Sequence, residues 1–189
     1  MFLKIIKILI IGFFVVGLIF IIKPIYFYSK GYLIQYLLNE SWNEYSLNGI
    51  KKYDWFGNYP IGKIIISDLS INNVVFNTSN DLALTYGLGR VDGSSFLHEK
   101  NQNIVIAGHR DTFFKKLEHV SRNVHIVLEH TEGNSKYLVE EVMIVNPDEY
   151  DYVFNNNNKN TLMLITCFPF NYIGSAPKRF IVQCNLVDS

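Results

Sequence analysis

From Pro60 onward the chain is a succession of short β-branched and apolar stretches cut by turn residues, and that spacing leaves few folds open. Residues 63–66 and 74–76 are short strands. Residues 104–107 read as a buried strand between Asn103 and Gly108. Residues 124–128 and 137–145 read as a hairpin around Glu132-Gly133-Asn134, and 161–166 and 180–187 are the last two strands. Helical spacing is confined to 79–86 and 112–119 in this part. Many short strands joined by turn signals argue for a closed or nearly closed barrel. With 189 residues, 49% of them hydrophobic, the chain can bury the core of one domain and carry an appendage.

The appendage is N-terminal. Residues 8–22 are an unbroken apolar run, with Lys4 and Lys7 before it and Lys23 after it. Flanking apolar and aromatic residues extend the run towards the length a bilayer needs, and the lysines can snorkel to headgroups. A cleaved signal peptide is the rival reading, but no Ala-x-Ala-like site follows. The spacing predicts an N-terminal transmembrane helix, a membrane anchor over 1–28 in contact with lipid. A linker with an amphipathic helix over 32–46 follows at 29–56, and the main domain occupies 57–189. A formal net charge of +0 gives no basic field for nucleic acid. The Asn run at 155–158 reads as a solvated loop, and Trp55 and Phe56 as interface or packing residues.

The chain has two cysteines, Cys167 and Cys184, too few for a disulfide framework and without ligand spacing for zinc. Cys167 ends the strand 161–166, and Pro169 stops that strand from continuing. Arg179 opens the last strand. If the two strands pair antiparallel with Cys167 opposite Arg179, a guanidinium stands beside the sulfur. The same register sets Cys184 against residue Leu162, roughly 16 Å from Cys167 at ~3.3 Å per residue, so both thiols stay free. Cys184 then belongs to the core. His109 follows the strand 104–107 and Gly108, again at a strand end. A thiol with a histidine in reach can act as a thiolate nucleophile, while the imidazolium protonates a leaving amine. An arginine beside it suits an oxyanion or a substrate carbonyl. From spacing alone a structural cysteine remains the commoner reading.

The local sequences carry more. Leu164-Ile165-Thr166-Cys167 resembles the Leu-x-Thr-Cys signature of sortases, and Gly108-His109-Arg110-Asp111-Thr112-Phe113-Phe114 resembles their catalytic-histidine loop. Ala176-Pro177-Lys178-Arg179-Phe180 resembles their arginine strand, and Tyr59-Pro60-Ile61-Gly62 the start of their domain. Phe168-Pro169-Phe170 with Gly174 is most like the class D branch. The resemblance implies a mostly β fold, an eight-stranded sortase β-barrel with short helices. It implies a cysteine transpeptidase that cleaves a Leu-Pro-x-Thr-Gly-like signal between Thr and Gly. The acyl group passes through a Cys167 thioester to an amine of the cell-wall precursor. His109 would be the acid/base and Arg179 the oxyanion binder. Thr166, Ile165 and Ala107 are candidate substrate contacts. The resemblance also implies one membrane anchor, an extracellular domain and a Gram-positive host. No cofactor, metal or nucleic-acid partner is expected.

Some positions depart from the pattern. Ile66-Ser67-Asp68 stands where relatives usually carry Ile-Pro, and His98-Glu99-Lys100-Asn101 where many have Pro-Gly. Asp54-Trp55-Phe56 lacks the proline of the pilin-polymerising lid. Pilin polymerisation, a cell-wall peptide cysteine hydrolase and a non-catalytic membrane-tethered binding domain are the alternatives. Asp111 is read as a cap on the 112–119 helix, Arg110 as a solvated charge, and His98, His119, His125 and His130 as surface or loop histidines.

Overall fold

The structure, a computed structural model, describes residues 2–50, 57–99, 103–150 and 160–188. Trp55, Phe56 and the Asn run at 155–158 lie outside the described residues. The chain divides into two compact units, Met1–Leu37 and Leu38–Ser189.

A helix, α1, spans Phe2–Asn48 and carries the expected amphipathic segment within it. In the first unit its apolar side chains face outward; Phe13 is 84% and Phe20 75% exposed. Among the described residues no helix is long and apolar enough to cross a membrane. The transmembrane helix expected over 1–28 is therefore not found. The unbroken run 8–22 by itself covers ~22 Å of a hydrocarbon layer of about 30 Å, so the expected span depended on the apolar residues beyond the lysines that flank it. The end of α1 belongs to the second unit, where Leu38, Ser41 and Trp42 are buried and Trp42 Nε1 donates to Glu129 (3.4 Å).

The second unit is an eight-stranded closed barrel, as expected. Its strands are β1 (Pro60–Ile66), β2 (Ile71–Phe76), β3 (Leu88–Arg90), β4 (Asn103–Ala107), β5 (His125–His130), β6 (Gly133–Val145), β7 (Thr161–Phe168) and β8 (Lys178–Asp188). They close in the order β1-β2-β3-β4-β7-β8-β6-β5. The β2–β3 and β4–β7 seams are parallel. A short helix, α2 (Asp81–Tyr86), leads into β3 and is capped by Asn80, whose side chain accepts from the Ala83 amide (2.9 Å).

The β5–β6 hairpin turns through Thr131-Glu132, with His130 opposite Gly133. The strand β3 lacked a sequence signal, because it is three residues long with Gly89 at its centre and no β-branched residue. The helix expected at 112–119 is instead a turn followed by a 3-10 segment, Lys115–His119. The Phe114 amide closes back on the His109 carbonyl (3.1 Å), and buried Phe114 and Leu117, three apart, suit a three-residue turn.

Strand β7 explains its own unbroken apolar run. Leu162 and Leu164 face the barrel core, and Met163 and Ile165 join Val91, Val105 and Ile181 in a second cluster on the opposite face of the sheet. A strand buried on both faces needs no polar alternation. Cys184 lies fully buried in the main core, where burial pushes its thiol up. Tyr137 packs in the same core. Its phenol is pushed up to about 12, first by burial and then by Cys184, against a hydrogen bond from Ser135 that lowers it.

The folded state thus prefers the neutral phenol. Its contribution is complete below the ordinary value of 10.0 and is lost as pH rises through about 12. Between those limits the wild type is expected to lose roughly 2 kcal/mol more stability than Tyr137→Phe, measured by urea unfolding at each pH. Parallel curves for the two proteins would refute this assignment.

Candidate active site

The site is assembled around the end of β7. The parallel β4–β7 seam pairs Ala107 with Ile165, and two further bonds carry the chain past the end of β4. The Gly108 amide donates to the Ile165 carbonyl (3.2 Å), and Thr166 Oγ1 donates to the Gly108 carbonyl (2.7 Å). Both polar groups of Gly108 are thereby tied to β7, one residue short of Cys167. Only glycine fits there, since a Cβ would lie 2.5 Å from Leu88 Cδ2 and 2.7 Å from Phe114 Cδ2. His109 follows directly after this tied-down glycine, so its backbone leaves the seam beside the end of β7.

On the other side of β7, the antiparallel seam sets Cys167 directly opposite Arg179 and Leu162 opposite Cys184, the register anticipated from the sequence. Both cysteines are free thiols; Cys184 is buried and Cys167 half-buried. Arg179 Nη1 donates to the carbonyls of Ala176 (3.3 Å) and Lys178 (3.1 Å). A cavity of about 360 Å³ opens here. His109, Cys167 and Arg179 line it together, with Arg110 and Asp111 from the histidine segment and Gly174, Ser175 and Ala176 from the β7–β8 loop.

Several side chains do other work than expected. Asp111 is exposed and lines the cavity, while the 3-10 segment has no side-chain cap. Arg110 is not a solvated charge. Its Nη2 donates to the Tyr172 (2.6 Å) and Gly174 (2.9 Å) carbonyls, and its Nη1 is buried. The Thr166 hydroxyl is buried and engaged with Gly108, so it holds the backbone rather than facing the cavity. Ile165 is 3% exposed within the second apolar cluster, and Ala107 is half-buried at its edge. Among the histidines, His130 is held by a contact of 2.9 Å between Nε2 and Ser135 Oγ, and its Nδ1 accepts from the Glu132 amide.

A family model described as the sortase domain matches residues 64–187, most of the chain. The protein belongs to the sortase family. The similar relatives include Sortase D of Bacillus subtilis, 34% identical over 88 residues, which are 47% of this chain and 44% of that one. Sortase A of Streptococcus agalactiae is 26% identical over 134 residues, 67% of this chain and 52% of that one. This sortase therefore spans about half the length of the curated relatives it matches. Sortase A from Corynebacterium diphtheriae superposes with a TM-score of 0.64 at 26% identity, over 70% of this chain and 62% of that structure.

Thr166→Val keeps the shape of the side chain but leaves the Gly108 carbonyl without its donor. The expected loss is about 1–3 kcal/mol in denaturant unfolding, the cost of an unsatisfied buried acceptor. A variant as stable as the wild type would show that this bond does not hold the histidine segment.

Proposed function

We propose that this sortase is a cysteine transpeptidase acting on a Leu-Pro-x-Thr-Gly-like sorting signal, with Cys167, His109 and Arg179 as its catalytic residues. The observation that supports the reading is that Cys167, paired with Arg179 across the β7–β8 seam, lines one cavity together with Arg179 and His109. The Cys167 sulfur attacks the Thr carbonyl carbon, and Arg179 donates to the oxygen as it becomes negative. The Thr–Gly bond breaks as His109 gives a proton to the departing Gly nitrogen, leaving a thioester on Cys167. An amine of a cell-wall precursor then attacks the thioester. It passes a proton to His109, and as the C–S bond breaks the Cys167 thiolate is released, restoring the thiolate–imidazolium pair. Ala107, half-buried at the end of β4, contacts the substrate, and Ile165 and Thr166 support that contact from within the sheet.

We assign the chain to the cell surface of a Gram-positive bacterium, as a catalytic domain at 57–189 outside the cell, joined by a linker at 29–56 to an anchor at 1–28. The outward-facing apolar side chains of the first unit support attachment to lipid. Alkaline carbonate extraction of membranes from expressing cells tests it. The full chain is expected in the pellet, and its recovery in the supernatant would remove the anchor.

The full chain in detergent micelles, given a Leu-Pro-x-Thr-Gly peptide and an amine, is expected to yield a Thr–amine product by mass spectrometry. Cys167→Ala and His109→Ala should yield none while remaining folded. Arg179→Lys keeps the charge but loses the planar fork, and should drop turnover about tenfold or more. Transfer surviving in Cys167→Ala would end the thioester mechanism, and normal turnover in Arg179→Lys would end the role given to that residue.

A further inference from the structure

The residue after His109 reaches across the cleft to the opposite wall. Arg110 Nη2 bonds the carbonyls of Tyr172 and Gly174, and its guanidinium carbon lies 5.9 Å from the centre of the Tyr172 ring. The two carbonyls straddle Ile173, the tip of the β7–β8 loop, which is 96% exposed. Gly174 takes φ +98, a conformation that favours glycine, so the chain can turn its carbonyl to the arginine. Within the loop itself a long bond, Tyr172 amide to Pro169 carbonyl (3.3 Å), holds the apex from the other side. Directly after Gly174 come Ser175 and Ala176, which form the cavity wall. Arg110 Nη1 is buried without a hydrogen-bond partner among the described residues, while the residue as a whole is partly exposed, so the guanidinium is shielded from water on one side.

We propose that Arg110 is a positioning residue that clamps the β7–β8 loop to the histidine segment and so sets the shape of the substrate cavity. The kinetic part of this inference rests on the transpeptidase reading. Cys167 and Arg179 take their backbone places from strand pairing, and of the two only Arg179 touches the loop with its side chain, through the Ala176 carbonyl (3.3 Å). Loss of the clamp therefore weakens ground-state binding more than the bond-making step, and it appears in KM rather than kcat. The clamp consists of charge-assisted bonds to backbone oxygens, so no particular loop side chain is required.

The test uses the full chain in detergent micelles, as wild type, Arg110→Ala and Arg110→Lys. Hydrogen exchange of peptides covering 170–177 should speed up about tenfold in Arg110→Ala, with the strands β7 and β8 unchanged. KM for the signal peptide should rise about fivefold or more while kcat stays within about threefold. Arg110→Lys keeps the cation without the planar fork and should fall between the two; it carries the same comparison if Arg110→Ala does not fold. Unaltered loop exchange would overturn the clamp. A fall in kcat at constant KM would overturn the positioning role and make Arg110 catalytic. If the wild type gives no transfer product, the transpeptidase reading fails by itself, and the exchange measurement still decides the clamp.

Discussion

The pairing of β7 with a parallel neighbour on one side and an antiparallel one on the other is the constraint on which the rest depends. The β4 seam and the Gly108 bonds bring the chain that carries His109 to the end of β7, and the β8 seam sets Arg179 opposite Cys167. A slip of one residue in either seam would turn every side chain of that strand to the other face. The apolar residues forbid such a slip, because β7 is buried on both sides and each face has its own set of partners. The burial energy of the barrel thus fixes the geometry of the site.

The parallel seam has a second lock at Gly108. A residue with no Cβ lets Leu88 and Phe114 close over the backbone, and the Thr166 hydroxyl completes the carbonyl that β4 leaves behind. The histidine segment then turns sharply back, with Phe114 as its buried anchor. His109 stays exposed while the residues on either side of it are tied down. An exposed imidazole between two bonded neighbours combines access for a substrate with a defined orientation, as the proposed proton transfer requires.

Strand positions were legible because β-branched runs between turn residues have few other uses, and the Cys167–Arg179 register supposed for two strand ends joined by a loop is the one the strands adopt. The strand β3 was not legible, since a three-residue strand centred on glycine draws its place from its neighbours. The 112–119 segment shows a period close to three, which a helix and a 3-10 turn share, and the bond to the His109 carbonyl decided between them. Arg110 was misread as a solvated charge and Thr166 was left open for one reason. A polar side chain looks the same in sequence whether it meets water or a carbonyl some sixty residues away. The N-terminal run is continuous but short, and the end of its helix turned out to pack into the barrel unit through Leu38 and Trp42.

By itself the sequence determined the local alternation of apolar residues, the turns that separate the strands, the two-cysteine inventory and the motifs around Cys167, His109 and Arg179. These are properties of neighbouring residues, and short-range sterics and periodicity are enough to express them. Only the tertiary structure decided that the barrel closes through a parallel β4–β7 seam, that Gly108 is bonded to β7 on both sides, and that Arg110 joins the two walls of the cleft. Those contacts unite segments about sixty residues apart. They follow from burying two faces of one sheet at once, a requirement that no single stretch of the chain contains.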